Sequence, residues 1–167
     1  VPLWSDANTI GDSVISQSSS RIGIGTNAPD QTLHVNSAGL NFVAKFESTD
    51  DKASILIEDN DTLNYIHSQN GYLSLGGQNS LSTNNLNINS TNGNVGIGTV
   101  TPTVRFHVNS STSDTVALFQ SSDSTARIQI SDNDTDNYIV SNNSTLSLGA
   151  NNATDAGNLN IASDGHV

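Results

Sequence analysis

The stretch "NVGIGTVTP", Asn94 to Pro102, occurs a second time in nearly the same words as "RIGIGTNAP", Arg21 to Pro29. Gly23 falls on Gly96, an offset of 96 − 23 = 73 residues, and at that offset the chain aligns with itself without a gap from Gly23 to Ser90. "LHVNS" at Leu33 falls on "FHVNS" at Phe106, and "VAKFES" at Val43 falls on "VALFQS" at Val116. "ILIEDNDTLNYI" at Ile55 falls on "IQISDNDTDNYI" at Ile128, and "LSLGG" at Leu73 on "LSLGA" at Leu146. "NLNI" stands at Asn85 and again at Asn158. Self-similarity at a fixed period marks an architecture in which one structural unit is used more than once. The expected organisation is a lead-in over residues 1–20, holding the single Trp, Trp4, then a first β-repeat over 21–93 and a second over 94–166. "SDGHV", Ser163 to Val167, matches the "TNGNV" that leads into the second Gly-Ile-Gly-Thr, so a third copy is expected to begin just after the end.

Within each repeat, apolar residues recur at every second position. Ile22 and Ile24 alternate with Gly23 and Gly25; Ile55 and Ile57 flank Leu56; Leu73 and Leu75 flank Ser74; Leu86 and Ile88 flank Asn87. A period of two with one apolar face is the pattern of half-buried strands. Between these runs lie "DND", "SQNG", "GGQN" and "STNGN", all turn chemistry. No window follows the 3.6-residue helical period. The fold class expected is all-β, with about seven strands of about five residues in each repeat.

The apolar supply is thin: 34% hydrophobic and only 5% aromatic. One chain of this size struggles to build a thick core from it. The pattern therefore favours an elongated structure in which several chains share the core, with closed rotational symmetry making that economical. Intertwined β-structure and stacked small β-sandwiches both fit. In the repeated motif, Gly23, Gly25, Gly96 and Gly98 admit close backbone approach, expected at a shared axis. Thr26 and Thr99 bond local backbone, and Pro29 and Pro102 fix φ and stop the strand. Gly-Ile-Gly-Thr-x-x-Pro thus reads as strand, turn and new strand. A phosphate-binding loop would need a following helix and usually a Lys, and neither copy has them.

Charge narrows the partners. Five Lys and Arg stand against 16 Asp and Glu, a net charge of -11. Nucleic-acid binding needs clustered basic residues, and anionic membrane attracts them, so neither partner is expected. No apolar run approaches the roughly 20 residues of a membrane span. "VPLWSDANTI" lacks the basic and apolar regions of a signal peptide, and the initial Val suggests a mature form or a fragment. Without cysteine there are no disulfides or thiolate metal sites.

"GNVGIGTVTPTVRFHV", Gly93 to Val108, resembles the G-N-V-G-I-G-T-x-x-P-x-x-x-L-H-V repeat of bacteriophage tail-fibre and related virion-fibre proteins. "RIGIGTNAPDQTLHV", Arg21 to Val35, is the same motif with Arg21 and Ile22 for Asn and Val. The same repeat occurs in large bacterial surface proteins. The resemblance implies a homotrimeric, β-rich fibre on the virion, outside the cell, that supports host attachment. Its implied partners are itself, other virion fibre or baseplate proteins, and a host surface glycan. In many such proteins the repeats precede a C-terminal intramolecular chaperone domain; none is visible before Val167, so the segment reads as shaft. Two other readings stand beside the shaft: a glycan- or receptor-binding β module, and a bacterial adhesin stalk.

Candidate sites are few. Asp132, Asp134 and Asp136 in "SDNDTDN" occupy positions 1, 3 and 5 of an EF-hand-like start and are the weak Ca²⁺ candidates. The pattern then fails, with Asn137 for Gly and Asn143 for Glu, so a hairpin turn is the expected reading, as for Asp59 and Asp61. No metal, cofactor or catalytic site is expected. Glu47 and Glu58 are the only glutamates, and Gln120 and Ser131 replace them in the second repeat. His34 and His107 are equivalent and expected to face outward; His67 and His166 carry no signal. Tyr65 and Tyr138 are expected to pack within the repeats, and Tyr72, opposite Thr145, is the candidate copy-specific surface feature.

Overall fold

A computed structural model describes Leu3–Trp4, Ile10–Gly11 and residues 14–166. The rest of the lead-in, the Trp4 side chain and Val167, where the third copy is expected, lie outside the described residues. The fold is all-β, with no helix among the described residues.

Leu3–Trp4 (β1) and Ile10–Gly11 (β2) form a short antiparallel pair. Ile15–Ser18 (β3), Arg21–Ile24 (β4) and Leu33–Val35 (β5) form a three-stranded sheet in which β4 runs antiparallel to β3 and parallel to β5. Lys52–Glu58 (β6), Leu63–Gln69 (β7), Tyr72–Gly76 (β8), Leu86–Asn89 (β9) and Val95–Ile97 (β10) follow as an antiparallel meander, with β6 at its edge. Phe106–Val108 (β11) is a short strand. Thr125–Ser131 (β12), Asp136–Asn142 (β13), Thr145–Gly149 (β14) and Leu159–Ala162 (β15) form a second meander, with β12 at its edge. The chain divides into two compact units, 1–105 and 106–167.

These units do not end where the sequence period ends. β10 belongs to the second repeat by sequence, yet it pairs with β9 of the first. The lead-in supplies the matching partner for β4: Ser16 lies opposite Gly23 as Asn87 lies opposite Gly96. The end of the lead-in therefore does the work of the strand that closes a repeat.

Local chemistry explains the turns. Asn70 and Gly71 carry positive φ of 51° and 79° in the two-residue link between β7 and β8. Asn143 and Ser144, at 46° and 66°, make the same link between β13 and β14. Two residues with φ > 0 match the twist of a hairpin, and Asn and Gly tolerate that region.

Each repeat contains six strands, not seven: β4 to β9, then β10 to β15. Residues 43–48 and 116–121 have strand composition but pair with no strand among the described residues.

The packing is inverted relative to an ordinary small domain. Among the described residues, Val140 is the only fully buried hydrophobic side chain. Apart from glycines and prolines of the repeated motif, the other buried positions are polar: His67, Ser74, Asn85, Asn87, Asn94, Thr99, Ser147 and Asn158.

Candidate functional site

The two faces of each meander differ in composition and in cover. Residues opposite one another in an antiparallel sheet share a face. In the first meander Ile55, Ile66, Leu75, Leu86 and Ile97 stand in one row across five strands. In the second, Ile128, Ile139, Leu148 and Leu159 form the same row. Ile66, Ile97, Ile139 and Leu159 are all exposed. This face carries a cleft of about 160 Å³ beneath Phe46, with Ala53, Ile55, Ile66 and Leu73 in its walls. Its counterpart, about 170 Å³, lies beneath Phe119 with Ala126, Ile128, Ile139 and Leu146. Every one of these pairs differs by the 73-residue period, so the apolar face is built twice from equivalent side chains.

The opposite face is polar and covered. Its central row runs His67, Ser74, Asn87 and Gly96, all buried. The link from β8 to β9 turns back so that side-chain amides of β9 and its approach meet the link's own carbonyls. Asn85 Nδ2 donates to Gln78 O at 3.0 Å, Ser80 O at 3.2 Å and Ser74 Oγ at 3.0 Å. Asn87 Nδ2 donates to Ser82 O at 2.8 Å and Thr99 O at 3.1 Å, while Asn87 Oδ1 accepts from Ser74 Oγ at 2.8 Å. The second repeat makes the same clasp: Asn158 Nδ2 donates to Asn151 O at 2.9 Å, Ala153 O at 3.0 Å and Ser147 Oγ at 2.9 Å. Asn160 Nδ2 donates to Asp155 O at 2.7 Å. An irregular link leaves carbonyls without strand partners, and a buried amide beneath it needs acceptors. Asparagine answers that need, so the buried side of each sheet is its asparagine side.

The Gly-Ile-Gly-Thr-x-x-Pro motif belongs to this covered side. Gly23, Pro29, Gly96, Thr99 and Pro102 are buried. A Cβ on Gly23 would come within 2.3 Å of Thr26 O, and one on Gly96 within 2.6 Å of Thr99 O. The close approach expected at an axis between chains is thus already taken up inside the motif, where the turn folds its Thr carbonyl over the glycine. Gly25 and Gly98 hold φ of 73° and 74°, which turns the chain out of β4 and β10. Thr26 Oγ1 accepts from Ala28 N and Thr99 Oγ1 from Thr101 N, both at 3.2 Å, the local bonding expected of these threonines. Arg21 Nη1 donates to Pro29 O at 3.2 Å, and at the equivalent place Asn94 Nδ2 donates to Pro102 O at 3.1 Å.

The acidic candidates resolve into turns. Asp59 Oδ1 accepts from Thr62 Oγ1 at 2.7 Å, Thr62 N at 2.7 Å and Asp61 N at 3.2 Å. Asp132 Oδ1 accepts from Thr135 Oγ1 at 2.8 Å, Thr135 N at 2.7 Å and Asp134 N at 3.2 Å. The threonine hydroxyls first, then the backbone N–H groups, hold both carboxyls down to about 2. Asp136 lies on β13, opposite Ser131, whose hydroxyl also lowers its pKa. Asp132, Asp134 and Asp136 do not converge: among the described residues no three His, Asp or Glu side chains are placed to hold a metal ion.

His34, expected to face outward, is half-buried and its Nδ1 lies 2.9 Å from Asp30 Oδ1; Leu33 beside it is the exposed one. His107 is half-buried as well. Tyr65, Tyr138 and Tyr72 are all half-buried, so Tyr72 stands out no further than the equivalent pair.

His67 is the residue that sequence reasoning missed. It is 1% exposed, and Val140, 73 residues on, is 0% exposed. Neither ring nitrogen reaches a hydrogen-bond partner, although the Ser80 backbone lies near enough to favour the proton weakly. Burial first and the Lys52 charge second push its pKa below the ordinary imidazole value. The alignment with Val140 was the signal: an imidazole occupying a buried aliphatic position.

The sequence matches no protein-family profile and no curated protein.

Proposed function

We propose that the chain is a segment of a repeat-built, homotrimeric virion fibre: the shaft of a tail fibre, outside the cell, that supports host attachment by spacing a receptor-binding tip from the particle. One observation carries this reading. Each repeat covers the polar face of its sheet and leaves the apolar face open, with the same side chains in both copies. An uncovered apolar sheet face is a surface meant for another surface. Identical chains set round one axis bring identical apolar faces together, and stacking repeats along that axis extends a rod. The motif shared with phage fibre repeats supports the virion setting. In this reading the clasps and turns are rigid filling on the outside of the fibre, and no catalysis is assigned to them.

Sedimentation across a dilution series tests the proposal. The expected result is a mass near three times 17.5 kDa that persists on dilution. A stable, soluble chain at 17.5 kDa at micromolar concentration would overturn it.

A further inference from the structure

Residues 43–48, "VAKFES", and 116–121, "VALFQS", are extended, belong to no sheet, and lie at equivalent places in the two repeats. They sit in the long links from β5 to β6 and from β11 to β12. Structureless links of such length are uncommon and usually functional. No backbone N–H or C=O of 43–48 or 116–121 makes a hydrogen bond among the described residues. Their apolar side chains are open as well. Val43 and Val116 are both 52% exposed, Phe46 65% and Phe119 62%. Val and Phe are strong strand formers, so the composition asks for a ladder that the chain does not provide.

Two of the free sheet edges lie at equivalent places in the two meanders: among the described residues β6 is bonded only to β7, and β12 only to β13. An edge strand offers a row of free donors and acceptors, a template for an added strand. Each repeat therefore carries one unpaired extended segment and, at the start of its meander, one free edge at an equivalent place. We infer that these segments add as strands to the β6 and β12 edges of a second copy of this chain. The inference rests on the multi-chain reading above and specifies its contact.

Two further observations point to a second copy as the occupant. Donor segments recur at the 73-residue period, and so do the acceptor edges, so one copy in register with another satisfies both repeats at once. The charge is also right. The chain as a whole carries -11, which resists self-association. Within "VAKFES" Lys45 balances Glu47, and the two form an ion pair at 2.6 Å; "VALFQS" has no charge. In β6 Lys52 balances Glu58, and β12 carries Arg127 alone. Copies that meet along these strands bring no net negative charge together. Adding the strand also carries Phe46 or Phe119 onto a neighbour, so that the apolar face is closed by more than one chain.

Amide hydrogen exchange on the intact, assembled chain tests this. Amides of 43–48 and 116–121 should exchange at least ~100-fold slower than unstructured peptide, and that protection should vanish when mild denaturant dissociates the assembly short of unfolding. Exchange at the unstructured rate in an assembled chain would overturn strand addition and leave the fibre reading standing. Protection that survives dissociation would mean pairing within one chain, and would also overturn it. A chain that never assembles would overturn both. Proline supplies a second test, since adjacent strand residues point their N–H groups to opposite sides. Ala44→Pro with Ala117→Pro, and separately Lys45→Pro with Leu118→Pro, break no backbone hydrogen bond inside the chain. At least one pair should weaken assembly ~10-fold or more with the circular dichroism of the dissociated chain unchanged. Full-strength assembly in both would overturn the proposal.

Discussion

His67 and Val140 hold the same place in successive repeats, both fully buried, one ionisable and one not. The folded chain keeps His67 neutral, with a pKa below 6.5, while the unfolded chain takes up a proton near 6.5. Below 6.5 the unfolded state therefore binds more protons, and stability falls as pH drops. The stability is fully present above 6.5 and is lost as pH falls from there towards the folded value. Denaturant unfolding of the first meander should weaken between pH 7 and 5. His67→Val, which copies the second repeat, should remove that dependence and stabilise by about 1–3 kcal/mol, because two unsatisfied nitrogens go. An unchanged pH profile in His67→Val would contradict this account.

The asparagine clasp gives a prediction about stability. Asn85→Ala leaves Gln78 O and Ser80 O without their buried donor. The buried amide and its bonds are lost while the two carbonyls return to water, so the substitution should cost about 1–3 kcal/mol. Asn158→Ala should cost a similar amount in the second meander, since its partners are equivalent. Asn84→Ala, at an exposed neighbouring position, is the control and should stay within about 0.5 kcal/mol. Urea unfolding of the three variants measures the difference.

Substitution on the open apolar face should separate assembly from folding. Ile66 and Ile139 are exposed in the single chain, so Ile66→Asp with Ile139→Asp should leave each meander intact. In a trimer the pair of substitutions would bury six carboxylates, which desolvation strongly opposes. The expected outcome is a folded β chain of 17.5 kDa by sedimentation. A variant that still assembles would show that this face is not the shared surface.

Asp59 and Asp132 should govern the acid limb of stability. Both carboxyls are held at about 2 in the fold against 3.8 in the free state. Their contribution is complete above 3.8 and is lost as pH falls through about 2. Asp59→Asn with Asp132→Asn should flatten the stability profile in that window. Carbon-detected titration of the two carboxyls checks the values directly. Because each carboxylate already serves its own turn, millimolar Ca²⁺ should leave the thermal midpoint unmoved.

Gly96→Ala should damage the repeated motif. The added methyl would lie 2.6 Å from Thr99 O, a backbone atom held by Asn87 Nδ2. Relief requires moving the turn and losing that bond, so a loss of about 2 kcal/mol or more is expected in thermal unfolding.

Much of the protein was legible as sequence. The 73-residue period, the all-β class, the turns at Asn70-Gly71 and at Asp59, and the local roles of Thr26 and Thr99 all follow from short-range chemistry. Alternation between two residue types fixes a strand, and Asx or glycine chemistry fixes a turn, whatever lies beyond. The same alternation does not say which of two faces is covered. Leu73 and Leu75 against Ser74, or Leu86 and Ile88 against Asn87, mark an apolar face and a polar one. The tertiary structure decided that the polar face is the one covered within the chain, because the link over each sheet has carbonyls that Asn85, Asn87, Asn158 and Asn160 satisfy. It also decided that Gly23 and Gly96 make room for a carbonyl of their own turn, and that His67 stands where Val140 stands. Strand propensity in "VAKFES" is local, but a strand exists only with a partner, and a partner is a property of the folded or assembled molecule.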